Sequence, residues 1–172
     1  MRLTGLLYRA HDPGWAFAPT SGEGARLYGG RFNPKGTRAL YLSRAIETAW
    51  LEAQQGFAFK PQPKTLCAYE VDCDDIVDLT DAAMRAAHGV EVSDLACAWE
   101  DIAARGGTPP SWTVAERLRA AGMAGAIVPS FAPGVAADAT NVVLWRWSEA
   151  PPHRIRVIDD HDRLPRNDAS WR

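Results

Sequence analysis

Segments with strand character gather near the two ends of the sequence, and segments with helical character lie mainly between them. Residues 38–42 show the strand pattern well, because Leu40 and Leu42 alternate with Ala39 and Tyr41 in the two-residue period of a half-buried strand. Strands that do not alternate regularly with helices favour an α+β fold with mostly antiparallel or mixed pairing. The predicted strands cover residues 6–10, 38–42, 65–71, 76–79, 124–128, 141–147 and 153–158.

Capping residues and glycines mark the ends of four predicted helices. Ser43 is the predicted cap of a helix over residues 44–55, which Gly56 would end. We expect the apolar stripe on this helix, formed by Ile46, Ala49, Trp50 and Ala53, to face the core. In the other three, Thr80 opens a helix ending near Gly89, Ser93 opens one ending before Gly106, and Thr113 with Glu116 forms a capping box for one that stops at Gly122.

A long loop, rich in Gly, Pro and Ser, is predicted between the first two strands and runs to about Gly36. Loops of this length are usually functional or disordered. Its aromatic residues favour an ordered loop, and the sequence leaves open whether residues 11–26 dock a protein substrate, exclude water as a lid or seat an inhibitor. The aromatic residues are Trp15, Phe17, Tyr28 and Phe32.

Size and composition predict one globular domain. The chain has 172 residues, of which 47% are hydrophobic, and we expect the domain to span residues 1–158 with a polar tail over 159–172. A net charge of −2 gives no general reason to expect a nucleic-acid or membrane partner. Three cysteines without metal-ligand spacing fit free thiols in a reducing cytoplasm, and the first residues are too short in apolar sequence for a signal peptide.

Charge is distributed unevenly along the chain. Residues 24–46 hold five cations and no acid, whereas residues 70–101 hold ten acids and one cation, Arg85. A basic segment that also contains glycines suits a phosphate-bearing small ligand. By charge alone, two solvated faces of opposite sign remain the simpler explanation. The five cations are Arg26, Arg31, Lys35, Arg38 and Arg44.

Several common sites are missing from the sequence. Gly22-x-Gly24 lacks the third glycine and the preceding strand of a dinucleotide fingerprint, and no Walker loop or G-x-S-x-G motif occurs. The acidic run at residues 159–162 has no second ligand cluster, so we interpret it as a solvated turn and expect no metal. Cys67 and Cys73 alternate within a predicted strand and are expected to be packing residues.

The stretch Gly29-Gly30-Arg31-Phe32-Asn33-Pro34-Lys35-Gly36, with the strand and helix that follow it, carries the best chemical signal. Paired glycines allow close approach of the backbone to a ligand, and Arg31 offers a planar fork suited to a pyrophosphate. Tyr41 can present an aromatic face to a flat heterocycle, and Glu52 can meet developing positive charge. Taken singly, each residue is more often structural: an arginine after two glycines is usually a turn residue, a strand tyrosine is usually half-buried core, and a helical glutamate usually faces solvent.

Together with more distant motifs, this stretch resembles the RES domain, a family named after arginine, glutamate and serine. The resemblance runs from about Tyr8 to Trp147 and departs at Phe32, where many members carry tryptophan. The family contains the toxins of bacterial toxin–antitoxin pairs, commonly encoded beside an Xre-like antitoxin. The matching motifs are Tyr8-Arg9-Ala10-His11, GGRFNPKG, ALYLS, Glu52, Val128-Pro129-Ser130 and Asn141 at the start of NVVLW.

The resemblance implies a split, mostly antiparallel sheet like that of diphtheria-toxin-like ADP-ribosyltransferases, with NAD⁺ bound as a consumed substrate in a cleft. It implies Arg31, Tyr41 and Glu52 as catalytic residues. Arg9, Ser130 and Asn141 would assist binding, although Ser130 could instead satisfy a turn after Pro129, and Asn141 could instead only fix backbone geometry. It also implies an Xre-like antitoxin that covers the cleft.

The implied reaction breaks the nicotinamide–ribose bond and passes ADP-ribose to an acceptor. We expect a cytoplasmic protein as acceptor, with NAD⁺ hydrolysis or phosphorolysis as the alternative. A non-catalytic nucleotide- or partner-binding module is a further alternative of another class. A nucleic-acid binder is disfavoured by the acidic pI of about 6.1.

Overall fold

A seven-stranded sheet organises the part of the chain that the computed structural model describes, residues 1–54 and 61–169. The strand order is β4-β5-β6-β2-β1-β3-β7. β4 and β5 pair in parallel, and the other neighbours pair antiparallel. This confirms the predicted α+β class and the mostly antiparallel sheet. The strands are β1 (Leu3–His11), β2 (Leu40–Ser43), β3 (Thr65–Cys73), β4 (Ile76–Asp78), β5 (Gly125–Pro129), β6 (Thr140–Leu144) and β7 (His153–Val157).

The sheet is split between β1 and β2. Every residue of β1 pairs in register with β3, whereas β1 and β2 share one registered pair, Tyr8 with Ser43, in the described residues. Strands that separate after one pair leave space between them that side chains or a ligand can fill. The two halves of the sheet, β4-β5-β6-β2 and β1-β3-β7, therefore border an opening.

Both faces of the sheet are covered by apolar side chains. Leu40 and Leu42 belong to the cluster on one face, and Ala39 and Tyr41 belong to or contact the cluster on the other, as the alternation in this strand predicts. Cys67 and Cys73 are buried free thiols in the first cluster. A fully buried leucine such as Leu40 stabilises the fold by about 1.5–3 kcal/mol.

Six short helices and one 3-10 turn lie in the described residues. The sequence predicts that Thr80 and Ser93 cap two helices, but neither residue is a helix cap in the structure. Asp81 caps α3 by accepting from the backbone N–H of Met84, and Glu91 forms a capping box with Asp94 at the start of α4. The helices are α1 (Glu23–Tyr28), α2 (Ile46–Ala53), α3 (Ala82–Ala87), α4 (Val92–Leu95), α5 (Trp99–Ala104) and α6 (Pro110–Ala120), and the 3-10 turn is Pro13–Trp15.

Two other predicted caps are also wrong. Ser43 lies in β2, and α2 begins after Ala45 without a side-chain cap. The predicted capping box at Thr113 lies inside α6, which starts three residues earlier because Pro110 suits the first helical position. The end of α6 at Gly122, with its positive φ of 88°, agrees with the prediction.

The helix predicted over residues 44–55 is observed as the shorter α2, and the face that it buries differs from the predicted apolar stripe. Thr48 and Ala49 are its buried residues, whereas Ile46 and Trp50 are exposed. Its predicted end at Gln55 and Gly56 lies outside the described residues. α2 packs on β1, so the face with small side chains meets the sheet.

The predicted long loop contains regular structure. α1 follows Gly22, and an ion pair between Glu23 and Arg26, three residues apart, stabilises this short helix at 2.5 Å. Beyond β7, Leu164 packs against the core, and the Asp159 carboxylate accepts from its backbone N–H at 2.9 Å. The domain boundary at residue 158 stays a prediction.

Candidate active site

A cavity of about 390 Å³ opens beside the split in the sheet. β1, β2, β6 and α2 each place side chains on it, together with the segment that follows α1. Five of the six residues predicted for the site line this cavity, and the sixth, Ser130, contacts one of them. The five are Arg9, Arg31, Tyr41, Glu52 and Asn141.

Glu52 is held by two hydrogen-bond donors that reach the same carboxylate oxygen. Ser130 donates from its hydroxyl to Oε1 at 2.5 Å, and the Asn141 side-chain amide donates to Oε1 as well. Hydrogen bonds to a charged acceptor are stronger and more directional than neutral ones. The carboxylate on α2 is thus oriented from β6 and from the loop after β5.

A third residue fixes the orientation of the Asn141 amide. The Ser43 hydroxyl donates to Asn141 Oδ1 at 2.7 Å, which turns the amide nitrogen toward Glu52. Ser43 and Asn141 are partners in the β2–β6 register, so both side chains lie on the same face of the sheet. The sequence interpretation missed Ser43 because it assigned the residue to a helix cap, and its place in the ALYLS strand was the available signal.

Ser130 makes the turn contact that the sequence offered as one alternative, and it also contacts Glu52, whereas its role in ligand binding stays a prediction. Its hydroxyl donates to Glu52 and also accepts from the backbone N–H of Ala132 at 3.4 Å. A hydroxyl has one donor and two acceptor sites, so both bonds can form together. The turn after Pro129 therefore places the hydroxyl where the carboxylate needs a donor.

Tyr41 lines the cavity with its ring, while its hydroxyl is engaged behind it. The hydroxyl accepts from the backbone N–H of Phe32 at 2.9 Å and donates to Asn33 Oδ1 at 2.7 Å. Burial raises the pKa of the Tyr41 phenol well above its usual range. The side chain therefore acts as a neutral, fixed aromatic surface.

Asn33 is the fully buried anchor of the glycine-containing loop. Its amide nitrogen donates to the carbonyl oxygens of Ala25, Pro34 and Thr37 at 2.8–3.1 Å. A β-carbon on Gly30 would lie 2.6 Å from the Tyr41 hydroxyl, so this position has no room for any other residue. The sequence interpretation quoted Asn33 within the motif and gave it no role.

Side chains from elsewhere in the chain hold the backbone of this loop. Trp112 donates to the carbonyl of Gly30 at 2.8 Å, and Trp145 donates to the carbonyl of Phe32 at 3.1 Å. Ser111 donates to the carbonyl of Arg31 at 2.5 Å. Three successive carbonyls are thus fixed from outside, which keeps the cavity wall rigid.

Arg31 is partly engaged within the protein. Its Nη1 donates to the carbonyls of Leu95 and Cys97 at 3.2 and 2.7 Å, and the guanidinium lies 5.0 Å from the centre of the Phe131 ring. In the described residues, Nε and Nη2 have no hydrogen bond. An arginine fixed in this way on one side can offer its other donors to an anion.

Arg9 is half-buried at the edge of the cavity. Its Nη1 donates to the carbonyl of Pro19 at 3.1 Å, and the Tyr69 hydroxyl donates to the same oxygen at 3.1 Å. Burial lowers the pKa of the Arg9 guanidinium and raises that of the Tyr69 phenol. Among the described residues, the cavity is therefore lined by two guanidinium groups, of Arg9 and Arg31, and one carboxylate, of Glu52.

Two other cations of the basic segment, Arg26 and Arg38, contact groups outside the cavity. Arg26 pairs with Glu23, and Arg38 donates to the Ser21 carbonyl and lies 5.1 Å from the Trp147 ring centre.

In residues 1–54 and 61–169 no group of three or more His, Cys, Asp or Glu residues could hold a metal ion. Nor does any helix there have the length and apolar character to cross a membrane.

Comparison of the sequence with models of protein families identifies the family of this chain. The model of the RES domain matches residues 6–167. The chain belongs to the RES domain family. The match begins within β1, continues past β7 and includes the whole candidate site.

Structural comparison agrees with the family. The RES domain is similar to a chain in the "Crystal structure of the M.tuberculosis MbcT-MbcA toxin-antitoxin complex", with a TM-score of 0.63 and 22% sequence identity over 92% of this chain and 84% of that chain. At this identity the likeness shows the fold alone. No curated protein sequence matches the chain.

Proposed function

We propose that this RES domain is the toxin of a toxin–antitoxin pair, and that it consumes NAD⁺ by breaking the nicotinamide–ribose bond and passing ADP-ribose to a cytoplasmic protein. The family membership and the fold shared with a chain of the MbcT–MbcA toxin–antitoxin complex support the toxin role. The chemistry is supported by the cavity itself.

The observation that carries the proposal is the oriented carboxylate of Glu52. Two donors, from Ser130 and Asn141, fix it at a cavity that also holds the Tyr41 ring and the guanidinium groups of Arg9 and Arg31. Cleavage of a nicotinamide–ribose bond builds positive charge on the ribose, because the electron pair of the bond leaves with the ring nitrogen. A fixed carboxylate stabilises that charge without reorganising during the reaction.

The remaining residues have roles that follow from their chemistry. Tyr41 would stack on the nicotinamide ring. The two hydrogen bonds of its hydroxyl group keep the tyrosine ring from turning away from the cavity. Arg31, with Arg9, would pair with the pyrophosphate and keep the ribose near Glu52. Nicotinamide leaves as a neutral molecule, so the leaving group needs no general acid.

The acceptor distinguishes three outcomes of the same bond cleavage. A protein acceptor gives an ADP-ribosylated protein, water gives free ADP-ribose, and phosphate gives ADP-ribose 1″-phosphate. We favour the protein acceptor and take hydrolysis or phosphorolysis as the alternative. NAD⁺ consumption of either kind would harm the producing cell, which explains the need for an antitoxin; we propose an Xre-like protein that covers the cavity.

The test is to weigh the products of purified protein incubated with NAD⁺, with and without phosphate and with and without cell extract. Nicotinamide together with a protein whose mass rises by one ADP-ribose unit supports transfer. Free ADP-ribose, or its phosphate ester when phosphate is present, supports the alternative. Intact NAD⁺ under all conditions contradicts the enzymatic proposal.

A further inference from the structure

A second cavity of about 620 Å³ adjoins the candidate active site, and Tyr28 and Trp99 line both. We call it the aromatic groove. Tyr28 ends α1, and Trp99 begins α5, so the groove lies between these two helices and the loop after α1. Its other lining residues are Pro34, Lys35, Glu100, Ala103, Ala104 and Trp112.

The size of the first cavity limits how much of a dinucleotide it can hold. Its volume of about 390 Å³ lies near the lower end of the range of about 300–1,000 Å³ for ligand pockets. NAD⁺ has a flat base at each end, separated by two riboses and a pyrophosphate. If the nicotinamide lies against Tyr41 beside Glu52, the adenine needs a second apolar surface that is continuous with the first.

The groove offers the chemistry that a flat base requires. Tyr28 is 70% exposed, and the centres of the Trp99 and Trp112 rings lie 6.5 Å apart with an angle of 44° between the ring planes. The bond from Trp112 to the Gly30 carbonyl fixes the plane of that indole. The small residues Ala103 and Ala104 line the same groove.

Charge points to the same ligand. Arg31 lines the cavity, and Lys35 lines the groove together with Glu100, so each of the two adjoining spaces holds a cation. A ligand that has a base at each end and two phosphates in the middle complements this arrangement.

We propose that the aromatic groove binds the adenine base of the NAD⁺ whose nicotinamide occupies the active-site cavity, an inference that rests on the proposed function. Tyr28 is the residue that determines this binding, since it is exposed and lines both spaces. The chain would then distinguish the dinucleotide from its nicotinamide half alone.

The test compares AMP, NAD⁺ and nicotinamide mononucleotide in three variants. Tyr28→Ala removes the ring, Tyr28→Phe keeps it, and Leu27→Ala is the matched control because Leu27 is exposed on the same helix and lines neither space. Stacking of a base on an aromatic ring is worth about 1–3 kcal/mol. This corresponds to an increase of about 5- to 150-fold in the Kd for AMP by calorimetry, and in the KM for NAD⁺, for Tyr28→Ala.

The KM for nicotinamide mononucleotide, which lacks the adenine base, should change far less in Tyr28→Ala than the KM for NAD⁺ does, and Tyr28→Phe and Leu27→Ala should resemble wild type. An AMP affinity that is equal in wild type and Tyr28→Ala, or no AMP binding by wild type, overturns the inference. Failure of the wild-type protein to release nicotinamide would instead refute the proposed function, and the calorimetric result for AMP would still decide whether the groove binds adenine.

Discussion

Asn33→Ala removes the buried side chain that holds the loop between α1 and β2. The structure gives this side chain bonds to three backbone carbonyls and to the Tyr41 hydroxyl. Leaving a buried polar group without a partner costs about 1–3 kcal/mol. Two amide hydrogens serve the three carbonyls, so we count two or three lost hydrogen bonds and expect the free energy of unfolding to fall by at least about 2 kcal/mol.

The assay is equilibrium unfolding in urea, followed by tryptophan fluorescence. The slope of the transition should stay unchanged while its midpoint falls. Asn167→Ala is the matched control, because that side chain is exposed and its bond in the described residues is a local one to the backbone N–H of Ala169. It should stay within about 0.5 kcal/mol of wild type. A loss below about 1 kcal/mol for Asn33→Ala would refute the anchoring role.

Three further predictions concern the site and its surroundings. His11 is 6% exposed and its ring has no hydrogen-bond partner in the described residues; burial, together with the charge of a nearby arginine, lowers its pKa to about 4. Because the unfolded chain binds this proton near pH 6.5, stability should fall between pH 6.5 and 4 by up to roughly 3 kcal/mol, and His11→Phe should lose less in urea unfolding across that window. Asn141→Ala, which removes one hydrogen-bond donor to Glu52, should lower kcat for nicotinamide release by about tenfold or more with little change in KM, and an unchanged kcat would rule out a positioning role for Asn141. Gly30→Ala should destabilise the fold by about 1–3 kcal/mol and displace Tyr41, seen as a lower urea midpoint together with a higher KM for NAD⁺.

The strands could be predicted from the sequence because each carries its own period of apolar side chains. All seven predicted strands overlap observed ones, and the alternation at Leu40 and Leu42 correctly gives the two faces. Helix starts were harder to predict. Ser43 has the right chemistry for a cap, yet pairing of β2 with β6 takes it into the sheet, and no local pattern reports a partner 98 residues away.

The candidate site, like the fold, could be predicted from the sequence only in part. Family motifs in the sequence identified Arg31, Tyr41 and Glu52, and the structure brings their side chains to one cavity. The sequence could not show that the Tyr41 hydroxyl is occupied by Asn33, nor that part of the Arg31 guanidinium binds backbone carbonyls. Such contacts depend on where distant segments pack, which a periodic pattern does not encode.

The central claim is that the carboxylate oriented by Ser130 and Asn141 drives cleavage of the nicotinamide–ribose bond. Nicotinamide release from NAD⁺ by Glu52→Gln tests it most directly, with Glu47→Gln as the control because Glu47 is exposed on the first turn of the same helix. We predict that Glu52→Gln lowers kcat by at least about a hundredfold while Glu47→Gln keeps the wild-type rate. A Glu52→Gln protein that releases nicotinamide as fast as wild type would contradict the account.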